Sequence, residues 1–125
     1  MTTNVEMNIW GRTFDLEVEY DCGDNEKVPQ NQIDAVEKIL DAPAVMQAKE
    51  AVEKYCLAQN PEEIKTDHID NIFKYVMPLY LFAVRNNEKR VVAIMCRYRF
   101  DLENGIAVVF ENEKLKQVGS QDIIL

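Results

Sequence analysis

A chain of 125 residues with 22 acidic and 14 basic side chains carries a formal charge of −8, which argues against nucleic acid or an anionic membrane as partner, because both attract positive surfaces. Its 47% hydrophobic and 29% charged content is ordinary for a globular protein, and its length fits one domain over residues 1–125, stable without disulfides or a metal. No apolar run reaches the roughly eighteen residues of a membrane span, and the opening Met1-Thr2-Thr3-Asn4-Val5-Glu6 lacks the regions of a secretory leader, so a cytoplasmic location is expected.

The first predicted element is a β-hairpin. Val5, Met7 and Ile9 alternate with polar residues, Gly11-Arg12 suits a tight turn, and Phe14, Leu16, Val18 and Tyr20 alternate with Asp15, Glu17, Glu19 and Asp21. A period of two puts the four acids on one strand face. Residues 22–30, with Gly23, Asp24, Asn25 and Pro29, read as a loop.

From about Asn31 the apolar period becomes helical, with Ile33, Val36 and Leu40, and Asp41 with Pro43 marks a break and restart. Val45, Ala48, Val52, Tyr55 and Cys56 form the stripe of a second helix that Asn60-Pro61 closes. A third helix is predicted with Asp67 as its cap and Ile69, Ile72, Phe73 and Val76 on one face, ending at Pro78.

The chain then returns to strands over 79–84, 90–100, 106–111 and 115–118, joined by short turns at Asn86-Asn87, Asp101 to Gly105 and near Asn112-Glu113. Such connections favour an antiparallel meander. In the long strand Val92, Ile94, Cys96, Tyr98 and Phe100 share one face, while Arg97 and Arg99 share the other. The order ββ-ααα-ββββ implies an α+β fold: an antiparallel sheet of N-terminal hairpin plus four-stranded meander, with about three helices on one face. The closing segment, Gly119 to Leu125, is expected to dock, since Ile123, Ile124 and Leu125 would otherwise leave three apolar side chains at a free end.

No familiar catalytic set emerges. His68 is the only histidine and Ser120 the only serine, and the glycines at 11, 23, 105 and 119 form no phosphate loop. Cys22, Cys56 and Cys96 are too widely spaced for a zinc site and read as reduced, mostly buried thiols. Asp101 and Glu103 sit where a turn needs side-chain to backbone bonds, which outweighs a catalytic carboxylate pair. The run Asp21 to Glu26 misses the spacing of a calcium loop. The expectation is therefore a non-enzyme with no cofactor and no metal.

Charge supplies the candidate site. Residues 1–28 hold seven acids and two bases (−5), residues 29–77 nine and five (−4), and residues 78–125 six and seven (+1). Asp15, Glu17, Glu19 and Asp21, extended by Asp24 and Glu26, are the candidate partner-binding residues. Like charges so spaced repel one another. Relief could come from inside, through Arg97 and Arg99 if their strand is a neighbour, or from outside, through a basic protein that the field steers in; the alternative is a solvated face that keeps the protein soluble.

The C-terminal third, Arg90-Val91-Val92-Ala93, the stretch Phe100-Asp101-Leu102-Glu103-Asn104-Gly105 with the following strand to Phe110-Glu111-Asn112-Glu113, and Val118-Gly119-Ser120-Gln121-Asp122-Ile123-Ile124-Leu125, resembles a bacterial family of uncharacterised domains. Members end in an aromatic-Asp-x-Glu-x-Gly turn, a strand closing in Phe-x-Asn, and a Gly-x-Gln-Asp-x-x-Leu tail. The match covers about 35 residues strongly and the rest by layout, and Leu102 and Asn104 stand where relatives often carry Pro and His. Some relatives resemble immunity proteins of contact-dependent or other polymorphic toxin systems. The resemblance implies a cytoplasmic, acidic, non-catalytic protein whose partner is a cognate toxin domain, basic and possibly a nuclease. A housekeeping or regulatory interaction domain, and a small hydrolase or metal-dependent enzyme, are the alternatives.

Overall fold

In the computed structural model, which describes residues 3–125, strands β1 (Thr3–Ile9) and β2 (Arg12–Tyr20) pair from Thr3 opposite Val18 to Ile9 opposite Arg12. Met1 and Thr2, the first residues of the opening read above, lie outside the described residues. The register leaves Trp10 and Gly11 as a two-residue loop, one position earlier than the predicted Gly11-Arg12 turn. Their φ values, 54° and 90°, are those of the type I′ turn whose twist matches a hairpin. A tryptophan in this backbone region is strained, but its indole is buried and Nε1 donates to the Val45 carbonyl at 2.9 Å. The hairpin is thereby tied to the helical layer.

Two helices follow, α1 (Gln30–Ile39) and α2 (Pro43–Gln59), the latter opened by proline where its missing N–H costs nothing. The predicted third helix is not formed. A single helical turn, α3 (Pro61–Ile64), ends at Lys65 with φ 65°, and Ile72–Lys74 makes a 3-10 turn. That turn is capped by Asn71, whose side chain accepts from the Phe73 N–H, and Asp67 caps nothing. Strand β3 (Val76–Val84) then takes in Met77 and Pro78. The register shifts between Pro78 and Tyr80, and pairing with β2 begins only at Tyr80, so the proline sits at an irregularity where a missing N–H is tolerated.

Strands β4 (Val91–Tyr98), β5 (Ile106–Glu111) and β6 (Lys114–Gly119) complete one six-stranded sheet in the order β1-β2-β3-β4-β5-β6. From β3 to β6 it is the expected antiparallel meander. The join between β2 and β3 is parallel, which the helical crossover between them makes possible and a short turn would not. The last hairpin turns on Asn112 and Glu113, both at positive φ.

The core lies between the helices and one sheet face. Met7, Leu16, Leu81, Ile94, Val108 and Phe110 meet Val36, Ile39, Ala48, Val52 and Cys56 of the helices. A second, smaller cluster of Phe82, Val91, Ala93, Met95, Ala107 and Val109 occupies the opposite face, with Tyr80, Val84 and Ile124 packed against it. No residue of α1, α2 or α3 belongs to this cluster. The tail docks in part: Gln121–Ile123 forms a 3-10 turn and Ile124 packs, but Leu125 remains 69% exposed and Ile123 37%. No helix among the described residues is long and apolar enough to cross a membrane.

Candidate functional site

The alternation in β2 puts Phe14, Leu16 and Val18 towards the helices and Asp15, Glu17 and Glu19 on the opposite, helix-free face. All three acids are exposed. The pairing adds a residue that strand periodicity alone did not single out, since Glu6 of β1 lies directly opposite Asp15. Like charges at directly opposed positions are destabilising. Asn4 is opposite Glu17, and its amide donates to Asp15 Oδ1 at 3.4 Å.

Internal neutralisation by the two arginines does not occur. Strand β3 lies between β2 and β4, and Tyr80 and Phe82 stand beside Glu17 and Glu19. Arg97 is opposite Met77, past the end of the β2–β3 ladder. Among the described residues, no ion pair includes Glu6, Asp15, Glu17, Glu19, Arg97 or Arg99.

The other three candidate acids have different surroundings. Asp21 lies beyond the end of β2, where its Oδ2 accepts from the Arg85 backbone N–H at 3.2 Å. Glu26 is ion-paired with Arg85 and accepts from the Gly23 N–H at 3.0 Å. The hydrogen bond from Arg85, then that from Gly23, holds its carboxyl below the ordinary range. Asp24 remains on a shallow groove of about 540 Å³ with Glu17, Glu19, Tyr20 and Cys22. The six acids therefore divide into an exposed row, one groove carboxylate, and two engaged in closing the loop.

Across the sheet the row borders the second, buried apolar cluster. Moving across the sheet from Glu17 and Glu19, the same face carries Tyr80 and Phe82, then Met95 and Ala93, then Ala107 and Val109. Burial first, and then the Glu19 carboxylate, raises the Tyr80 hydroxyl above its ordinary pKa. Tyr80 is half-buried and Phe82, Ala93, Met95, Ala107 and Val109 are buried, so what this face presents to a partner is the carboxylates.

The remaining candidates resolve into structural roles. Both carboxylate oxygens of Asp101 bind Asn104, and the Gly105 N–H donates to the Asp101 carbonyl. His68 is exposed between Asp67 at 3.0 Å and Asp70 at 3.2 Å, and the Asp67 hydrogen bond, then the Asp70 charge, raises its pKa. Cys56 and Cys96 are buried and Cys22 is partly so, and none forms a disulfide. Burial pushes the Cys56 thiol up to about 11. No group of three or more metal-ligating side chains occurs among the described residues.

A family model described as Domain of unknown function (DUF6985) matches residues 1–125. The chain belongs to the DUF6985 family. No curated protein and no solved structure matches it significantly. In this DUF6985 domain the most distinctive surface is thus the exposed acidic part of the helix-free sheet face, over β1 and β2.

Proposed function

We propose that this protein is an immunity protein, which binds a basic toxin domain over Asp15, Glu17 and Glu19 and neutralises it by occlusion. The observation that carries this reading is a row of exposed carboxylates on a face without helices, with Glu6 opposed to Asp15 and no cation among the described residues ion-paired to Glu6, Asp15, Glu17 or Glu19. Folding gains nothing from such a row, and a cationic partner gives it a use. Asp24 extends the contact at the groove, while Asp21 and Glu26 hold the loop that frames it. The C-terminal turn and tail resemble a family of uncharacterised domains, some members of which resemble immunity proteins, and this favours a toxin over a housekeeping partner.

The test is protection. The chain is co-expressed with the toxic domain encoded beside its gene, and growth is compared with that of the Asp15→Lys/Glu17→Lys variant. Protection by the wild type and loss of it in the variant supports the reading. A harmless neighbouring product, or equal growth with and without the chain, defeats it.

A further inference from the structure

The opposite charge is concentrated elsewhere. At the end of the sheet where β3 begins and β4 ends, a cleft of about 400 Å³ has Lys74, Arg97 and Arg99 among its walls, together with Phe73, Met77 and Leu102. A second hollow of about 280 Å³ shares Lys74, Tyr75 and Arg99 with it and adds Lys65, with Glu63 as its one acid. The two make a continuous groove. Tyr75 and Phe100 support it, with ring centroids 5.4 Å apart. On the other side of Phe73, the Arg12 guanidinium lies 4.3 Å from the ring centroid. Lys65, Lys74, Arg97 and Arg99 are all exposed, and no ion pair among the described residues includes them. A chain with 22 acids has ample carboxylate to pair them, yet Glu63 is the one acid in the walls and it is ion-paired with none of them.

We propose that this groove is a second docking site, which takes an acidic, apolar-bearing peptide segment of a partner protein. Arg97 and Arg99 are two residues apart, and Arg97 lies on the open face at the end of β4. Alternate residues of an extended peptide repeat at about 6.6 Å, the rise over two strand residues. Carboxylates on one side of such a segment meet Arg97 on the strand and Arg99 in the turn after it, and an apolar side chain on that same side settles against Met77, Phe73 and Leu102, which is 62% exposed. A small free anion fits less well, because ligand pockets enclose most of their ligand with convergent polar groups, whereas these cations stand exposed along a rim. A polyanion such as single-stranded nucleic acid is opposed by Glu63 and by the −8 charge of the whole chain.

The experiment is fluorescence anisotropy with a fluorescein-labelled peptide of glutamate and phenylalanine, arranged so that one face of the extended chain carries both. Its lysine–phenylalanine counterpart and a short single-stranded DNA serve as comparisons. Saturable binding of the acidic peptide is expected, weakened by salt and at least about tenfold weaker in Arg97→Glu/Arg99→Glu, since reversal turns two attractions into repulsions. Leu102→Asp, at an exposed position, gives a second reading with the arginines intact and should also weaken binding. Asp15→Lys/Glu17→Lys should retain it, which separates this site from the acidic face. Equal affinity in the arginine-reversed variant overturns the proposal, as does DNA binding tighter than the peptide. Self-association abolished by either charge reversal would also overturn it, by assigning the groove to a second copy of this chain.

Discussion

At Gly105 the backbone has φ +57°, and a β-carbon there would lie 2.5 Å from the Cys96 carbonyl oxygen and 2.7 Å from Gln121 Nε2. Both atoms belong to the bond that docks the tail, in which Gln121 Nε2 donates to the Cys96 carbonyl at 3.2 Å. Gly105→Ala should therefore cost about 1–3 kcal/mol through backbone strain alone, with further loss from displaced Gln121. A denaturation midpoint equal to that of the wild type would show that the turn relaxes freely. The thiols give a second prediction at this scale. Burial raises both Cys56 and Cys96, and the thiolate is the reactive form. A thiol reagent at neutral pH should label Cys22 first, with the other two reacting only on unfolding. Rapid labelling of all three would contradict the packing. The sequence marked Gly105 as a turn residue and the cysteines as mostly interior, but it carried no sign that Gln121, 25 residues from Cys96, closes over the same hairpin.

Among elements, the most instructive misreading is the third helix. Ile69, Ile72, Phe73 and Val76 do fall at helical spacing, but so short a pattern is also met by a 3-10 turn that runs into a strand. The near-continuous apolar run from Val76 to Val84 is the signature of a strand with neighbours on both sides, and Pro78 fits within it because of the local irregularity. The hairpin, α1, α2 and the meander were legible because each is specified by local periodicity and turn residues. The parallel join of β2 to β3 was not, since pairing between segments more than fifty residues apart leaves no local pattern. The β4–β5–β6 end supplies a pH prediction. Arg90 donates to both carboxylate oxygens of Glu113 at 2.8 and 2.9 Å, and that bond holds Glu113 below its ordinary pKa. Lys116 and then Lys89 do the same for Glu111. A depressed folded-state pKa adds stability that is present above the unfolded value of about 4.3 and lost as pH falls through the folded value. Stability should thus fall below about pH 4.5, and Glu113→Gln should flatten that part of the profile. An unchanged acid limb in the variant would remove Glu113 from the cause.

For the whole molecule, charge is sorted by place. The exposed acids Glu6, Asp15, Glu17 and Glu19 occupy the helix-free face over β1 and β2, and the unpaired cations Lys74, Arg97 and Arg99 line a cleft at the end where β3 starts. The uneven charge along the chain made the acidic row visible in the sequence, because strand periodicity places Asp15, Glu17 and Glu19 together. Glu6 was missed for want of the register, and Asp21 and Glu26 were grouped with the row although their contacts with Arg85 lie in the folded loop. The cationic cleft was also illegible, since Lys74 and Arg97 come from separate elements.

If the acidic face steers a basic partner, its contribution falls chiefly on the rate of encounter and is screened by salt. The direct measurement is stopped-flow association of the proposed partner, the product of the neighbouring gene, with the wild type and with Asp15→Lys/Glu17→Lys, across a salt series, with thermal unfolding of both proteins alongside. Slower association of the variant at low salt is predicted, with the wild-type rate falling towards it as salt rises and the unfolding midpoint unchanged or higher, because a lysine opposite Glu6 replaces a like-charge pair. Identical association rates for the two proteins at every salt concentration would contradict the assignment of the partner to this face.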